Sequence, residues 1–157
     1  LWVLVTPGNP LKSRADLASL GRRLAATRRL LDDPRIVVGA LEASFGSPYT
    51  WRTVERLVRM APAVRFVWVM GADNLAGFHR WQHWRRIAAT LPIAVVDRPD
   101  ASLAALHAPA AQALADFRLA EFDAPTLAGR LPPAWVFLHG PRVALSSTEL
   151  RRRGLTA

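Results

Sequence analysis

The sequence predicts an α/β fold, a doubly wound parallel sheet with helices on both faces. Three observations predict it. Short apolar runs alternate with amphipathic stretches along all 157 residues, in the order β-α-β-α-β-α-β-α-β-α. The runs are continuous rather than alternating, as strands covered on both faces are. No linker, repeat or low-complexity tract interrupts the series, so 1–157 is expected to form a single domain around one core.

The first strand is "LWVLV" (Leu1 to Val5), followed by "TPGNPLKSR", whose turn residues mark a loop. From Asp16 to about Leu31, Leu17, Leu20, Leu24 and Leu31 recur at helical spacing, with Arg22, Arg23, Arg28 and Arg29 on the outer face. Asp16 is the expected N-cap. "RIVVGALE" (Arg35 to Glu42) reads as the second strand, "ASFGSPY" as a loop, and Thr50 to Met60 as a short helix carrying Val54, Leu57 and Val58 on one stripe. "VRFVWVMG" (Val64 to Gly71) is the third strand and Leu75 to Ala89 the third helix. "PIAVVDR" (Pro92 to Arg98) is the fourth strand, followed by an Ala-rich helix from Ala101 to about Leu119. Glu121 to Pro133 reads as irregular, "AWVFLHG" (Ala134 to Gly140) as the fifth strand, and a last short helix starts at Ser146.

Composition narrows the function classes. The chain is 51% hydrophobic and 21% charged, a globular balance that excludes disordered and fibrous classes. With no cysteine, disulfide frameworks and thiolate chemistry are excluded. No apolar run approaches the ~18 residues of a membrane span, and no signal-peptide pattern is present, so a cytoplasmic protein is expected. The net charge of +9 favours anionic partners. Its weight is reduced because Arg dominates and Lys12 is the sole lysine, as in high-GC bacterial coding. The Arg-rich helix lacks interleaved aromatics, so a solvated face is a better reading than a nucleic-acid contact.

In such sheets, ligands bind beyond the carboxyl ends of the strands. Thr6 to Lys12, Gly71 to Asp73, Asp97 to Arg98 and His139 to Thr148 stand at such ends, where a pocket would gather Lys12, Asp73, Ser146, Ser147 and Arg151. In "LSSTELRRR" the hydroxyls of Ser146, Ser147 and Thr148 open a helix whose N-terminus suits phosphate. Arg151 lies one turn on and can grip phosphate with two nitrogens. The same residues also fit a capping box, Ser146 with Glu149. Gly71 ends a strand, and Asp73 then stands where a carboxylate accepts from ribose hydroxyls or caps the next helix. Trp81, eight residues beyond Asp73, either stacks on a ligand ring or packs in the core. His79 and His83 are spaced i, i+4, but no Glu lies between them and no third ligand suggests itself for a metal. His107 and His139 are isolated. Lys12 either reaches a phosphate or is solvated.

The stretches "TPGNPLK", "SPYTWRTV", "FVWVMGADNLAGFHRWQHWRRIA", "IAVVDRP" and "WVFLHGPRVALSSTELR" occur in this order along nearly the whole chain. In combination they resemble the bacterial nicotinate-nucleotide adenylyltransferase family. The resemblance implies a Rossmann-like sheet of the nucleotidylyltransferase type. The implied activity is adenylyl transfer from ATP to nicotinate mononucleotide, assisted by Mg²⁺ that travels with ATP. It further implies that Ser146, Ser147, Thr148 and Arg151 bind ATP phosphates, with Lys12 nearby. Ser147 and Arg151 are the expected catalytic groups. Gly71 and Asp73 would hold a ribose, Trp81 would stack on the nicotinate ring, and Thr50 and the Gln82 backbone amide would meet the nicotinate carboxylate. No protein metal ligand is implied.

The sequence departs from the family in two places. Arg52 stands where the family often has Asp. The family's N-terminal G-x-F-x-P-x-H-x-G-H segment, whose histidines hold ATP phosphates, is absent, and the sequence opens at Leu1 inside a strand-like run without Met. A truncated chain lacking the family's first strand and helix is therefore expected, with a central gap in the sheet and little activity as a fragment. Alternatives are a related adenylyltransferase for pantetheine phosphate or nicotinamide mononucleotide, a basic nucleic-acid-binding module supported only by net charge, and a non-catalytic remnant.

Overall fold

A computed structural model describes residues 1–8, 18–99 and 101–140. The described residues fall into two compact units, one within 1–53 and the other within 54–140.

The first unit is a β-α-β element. β1 (Trp2–Leu4) and β2 (Val37–Gly39) run parallel, with Trp2 opposite Val37 and Leu4 opposite Gly39. The N–H of Val5 donates to the Gly39 carbonyl at 2.8 Å and continues the ladder by one residue. The crossover contains α1 (Leu20–Leu30), capped by the Ser19 hydroxyl, which accepts from the Arg22 N–H. The expected start at Asp16 lies outside the described residues; within them Ser19 is the cap. β2 is shorter than the expected 35–42, because the chain turns at Ala40 into α2 (Leu41–Ser44). A short apolar run suits a strand and a buried helical turn equally well, and Ser44, bonding back to the Leu41 carbonyl, favours the turn here. α3 (Thr50–Met60) begins as expected, and the division between the units falls within it.

The second unit carries a four-stranded parallel sheet in the order β3-β4-β6-β5. Its strands are β3 (Trp68–Gly71), β4 (Ile93–Val96), β5 (Arg118–Leu119) and β6 (Trp135–Leu138). The parallel α/β class is therefore as the apolar runs predict, although the described strands hydrogen-bond as two sheets. Val95, Val136 and Phe137 on the central strands are essentially inaccessible, as continuous apolar runs require.

Two expected helices are interrupted, each for a local reason. The 101–119 stretch becomes α6 (Ser102–Leu106), α7 (Pro109–Ala113), a 3₁₀ turn at Ala115–Phe117 and the edge strand β5. Pro109 cannot donate to a preceding helical turn, so it opens a new helix instead. The Trp135 indole then donates to the Leu114 carbonyl at 2.8 Å and ties this segment to β6. The 75–89 stretch becomes α4 (Ala72–Gly77), a 3₁₀ turn at Phe78–Arg80, a reversal at residues 81–83, and α5 (Trp84–Thr90). The break lets Phe78 and Trp84, six residues apart, both enter the core. Phe78 is fully buried and Trp84 nearly so, and their rings meet edge to face at 5.7 Å. The Glu121–Pro133 region is largely a run of 3₁₀ turns over Glu121–Gly129, which buries Leu127 against Ala94, Ala134 and Val136.

Candidate functional site

Register builds the site of the second unit. Gly71 pairs with Val96, and Val96 with Leu138, so the three strands end in one row. The residues just beyond that row are distant in sequence but adjacent in space. Asp73 and Arg98 each stand two positions past a paired strand end. The Arg98 guanidinium accordingly meets the Asp73 carboxylate at 3.5 Å. Both side chains are about half exposed, at 47% for Asp73 and 58% for Arg98, so the pair is loose and contributes at most about 1 kcal/mol. A solvated, weakly held carboxylate of this kind can exchange its partner for hydroxyl donors of a ligand.

Gly71 keeps this corner open. A Cβ there would lie 2.5 Å from the Asp73 Oδ1 and 3.1 Å from the Arg98 Nε. The helix that follows begins at Ala72 with Gly71 as its cap residue, so Asp73 lies in the first turn of α4, near the positive end of its dipole, rather than at the cap.

One residue along the same edge, the Asp97 N–H donates to the Leu138 carbonyl at 2.8 Å, and the Ser102 hydroxyl donates to the Asp97 carboxylate. The last member of the row is His139, whose backbone N–H and Nδ1 each lie 2.7 Å from a Glu121 carboxylate oxygen. Hydrogen bonding to the His139 ring and then to its N–H holds the Glu121 carboxyl below the usual range. His139 is thus tied to Glu121 rather than isolated.

Trp81 and Gln82 occupy the reversal between the 3₁₀ turn and α5. Trp81 is half-buried and its ring meets Phe78 edge-on at 5.4 Å, so one edge packs on the core. Gln82 and His83 are exposed. His83 adopts φ 54°, ψ 36°, a left-handed conformation that costs a non-glycine residue roughly 1–2 kcal/mol. Because the helix breaks here, His79 and His83 sit on separate elements and do not share the helical face that i, i+4 spacing describes. Among the described residues no three His, Cys, Asp or Glu side chains gather as a metal site.

Thr50 is the first residue of α3 and belongs to the first unit. Lys12, Ser146, Ser147, Thr148 and Arg151 lie outside the described residues. The structure therefore brings together Gly71 and Asp73, and separately Trp81 and Gln82.

Sequence reasoning left Arg98 as a strand end, without its pairing to Asp73. The sequence held no signal for it, because the equal overhang of the two residues shows only once Gly71 is known to pair with Val96. It also missed Glu42, a carboxylate only 5% exposed in α2. Burial pushes the Glu42 carboxyl up, and a hydrogen bond with Thr6 offsets this only in part. Its folded pKa therefore exceeds the unfolded value of about 4.5, so this contribution to stability is full below that pH and is lost as pH rises above it. Glu42→Gln should remove the loss, raising Tm at pH 7 with no gain at pH 4. Calorimetric melts of both proteins at the two pH values check this.

Arg23 donates to the carbonyls of Thr6 at 2.7 Å, Pro7 at 3.2 Å and Ala18 at 3.0 Å, holding the two ends of the segment that contains Lys12.

Comparison with known sequences bears on the whole chain. A sequence profile described as cytidylyltransferase-like matches residues 1–153. A probable nicotinate-nucleotide adenylyltransferase of Agrobacterium fabrum is 57% identical over 151 residues, covering 96% of this chain and 81% of the relative. Proteins of the same description from Bradyrhizobium sp. strain ORS 278 and Rhizobium meliloti are each 58% identical, again over 96% of this chain and over 79% and 80% of their own lengths.

Proposed function

We infer the chemistry of the site from one premise: this chain belongs to the cytidylyltransferase-like family. It is a nicotinate-nucleotide adenylyltransferase, which transfers the adenylyl group of ATP to nicotinate mononucleotide in NAD biosynthesis, giving deamido-NAD and pyrophosphate. The observation that carries this is the identity of 57–58% with such enzymes across 96% of the chain. The match through residue 153 supports reading 1–157 as one nucleotidyltransferase domain.

A phosphate oxygen of nicotinate mononucleotide attacks the α-phosphorus of ATP. The new O–P bond forms as the bond to the β-phosphate oxygen breaks, and pyrophosphate leaves with that electron pair. The nucleophile is already an anion, so no general base is needed, and the protein's work is alignment and charge stabilisation. Within this reaction Asp73 accepts from ribose hydroxyls of the acceptor, supported by its loose pairing with Arg98 and its place in the strand-end row. Trp81 stacks on the nicotinate ring with the edge-packed indole as a rigid platform, and Gln82 and Thr50 meet the ring's carboxylate. Lys12, Ser146, Ser147, Thr148 and Arg151 hold the triphosphate, with Ser147 and Arg151 nearest the transferred group. Mg²⁺, entering with ATP, would supply positive charge to offset that of the phosphates. Among the described residues no three His, Cys, Asp or Glu side chains gather to hold it. No helix among the described residues is long and apolar enough to cross a membrane. We place the enzyme in the cytoplasm, where ATP is available.

Pyrophosphate release measured with nicotinate mononucleotide, nicotinamide mononucleotide and pantetheine phosphate in turn tests the acceptor. The first should give the highest kcat/KM; a preference for either of the others would overturn the reading. The ribose role has its own test in Gly71→Ala. The added Cβ meets only side-chain atoms, the Asp73 Oδ1 and the Arg98 Nε and Cδ. Tm should stay within about 2 °C of the parent, while displacement of the Asp73 carboxylate raises KM for the acceptor several-fold, roughly the loss of one charge-assisted hydrogen bond. Unchanged KM would remove Asp73 from the site.

A further inference from the structure

We propose that His83 is a positioning residue for recognition of the acceptor's nicotinate ring, acting through its left-handed backbone rather than through its imidazole. The proposal rests on the roles of Trp81 and Gln82 given above. The Trp81 carbonyl accepts from the Trp84 N–H at 3.2 Å, which closes a four-residue turn over Gln82 and His83. His83 is the only non-glycine residue with positive φ among the described residues, so positive φ falls on the third position of the turn and not on the second. That is the type II pattern. Types I and II differ chiefly in the peptide joining the two central residues, which is turned over by about half a revolution. Here that peptide joins Gln82 to His83. The φ of His83 thus decides which way this peptide presents its carbonyl and N–H, beside the ring that stacks on the acceptor.

Glycine or asparagine is the usual occupant of such a position. A histidine is held there by its neighbours. Trp81 and Trp84 both meet the edge or face of one buried ring, Phe78, at 5.4 and 5.7 Å. The span between them is two residues, and it must reverse direction to start α5, whose first turn bonds to the His83 carbonyl from Arg86 and Ile87. Left-handed conformations in non-glycine residues cluster where surrounding packing over-determines them and a ligand is met. His83 is exposed, so its substitution opens no cavity, and comparing glycine with valine, both of which lack the imidazole, isolates the backbone.

The experiment measures Kd for nicotinate mononucleotide and for ATP by titration calorimetry, with Tm, in His83→Gly, His83→Asn and His83→Val. Glycine and asparagine accept the left-handed region; a β-branched valine does not. The expected result is that His83→Val binds nicotinate mononucleotide about fivefold to thirtyfold more weakly than His83→Gly, the ratio that the left-handed cost converts to. His83→Asn should follow His83→Gly, and Kd for ATP should stay within about twofold across the series. Equal weakening by glycine and valine would overturn the proposal, because the imidazole would then be the active part. Equal weakening toward both ligands would overturn it too, as a general loss of structure. Should His83→Val not fold, His83→Ala takes its place under the same criteria. Trp81→Ala serves as the control. If it leaves acceptor binding intact, the ring-site reading fails and this proposal with it. If it weakens binding while the His83 series is flat, only this proposal fails.

Discussion

Trp81→Ala is expected to raise KM for nicotinate mononucleotide roughly tenfold to a hundredfold, the range for removing one aromatic platform from a stacked heterocycle. KM for ATP should move by no more than about twofold if the proposed platform meets only the acceptor. The indole also packs on Phe78 at 5.4 Å, so truncation removes some core contact as well as the stacking surface. Trp81→Phe separates the two: it keeps a ring against Phe78 and a smaller face toward the ligand. Its KM should fall between the parent and the alanine variant, with Tm close to the parent. Steady-state kinetics with each substrate varied in turn decides the matter, and equal rises in both KM values would sink the stacking role.

The second large effect is expected in kcat. Arg151→Ala should lower it about a hundredfold to a thousandfold, as removal of one preorganised donor to a developing oxyanion does. Folding should be little changed. Arg151→Lys should recover only part of the loss, because an ammonium cannot make the paired contacts of a guanidinium with phosphate. The competing idea, that this segment is a capping box and no more, predicts a different pattern. There Ser146→Ala would cost about 1 kcal/mol of stability, and Arg151→Ala would leave kcat alone. Thermal melts beside single-turnover rates distinguish the two.

Legibility in the sequence was uneven, and the reasons are local. β3, β4 and β6 were readable because "VWVM", "IAVV" and "WVFL" are apolar at every position, even though Val69 and Val96 stand exposed. β5 was not, because a two-residue edge strand, Arg118–Leu119, has no pattern to display. Pro109 announced a break that an alanine-rich run otherwise concealed. The stretch from Leu75 to Ala89 kept helical spacing in its apolar residues, yet its two tryptophans share one buried phenylalanine and force a reversal between them. Periodicity records which residues face the core, not whether the backbone between them stays helical. The equality of overhang that joins Asp73 to Arg98 could not be read without strand register, since each belongs to a different β-α unit.

The α/β class, the parallel alternation and the expected strand ends were legible in the sequence alone, because apolar patterning depends little on exact geometry; the family and its reaction came from the resemblance of whole stretches to a known family and not from patterning. The tertiary structure decided which of those ends meet: Gly71, Asp73 and Arg98 at one corner, His139 clasped by Glu121 at another. It also decided that His83 carries the chain through a left-handed turn beside Trp81, and that Glu42 is buried with its pKa raised. Each of these depends on hydrogen-bond register or on packing between segments far apart in the chain. Such contacts exist only once the sheet is assembled, and no local pattern encodes them.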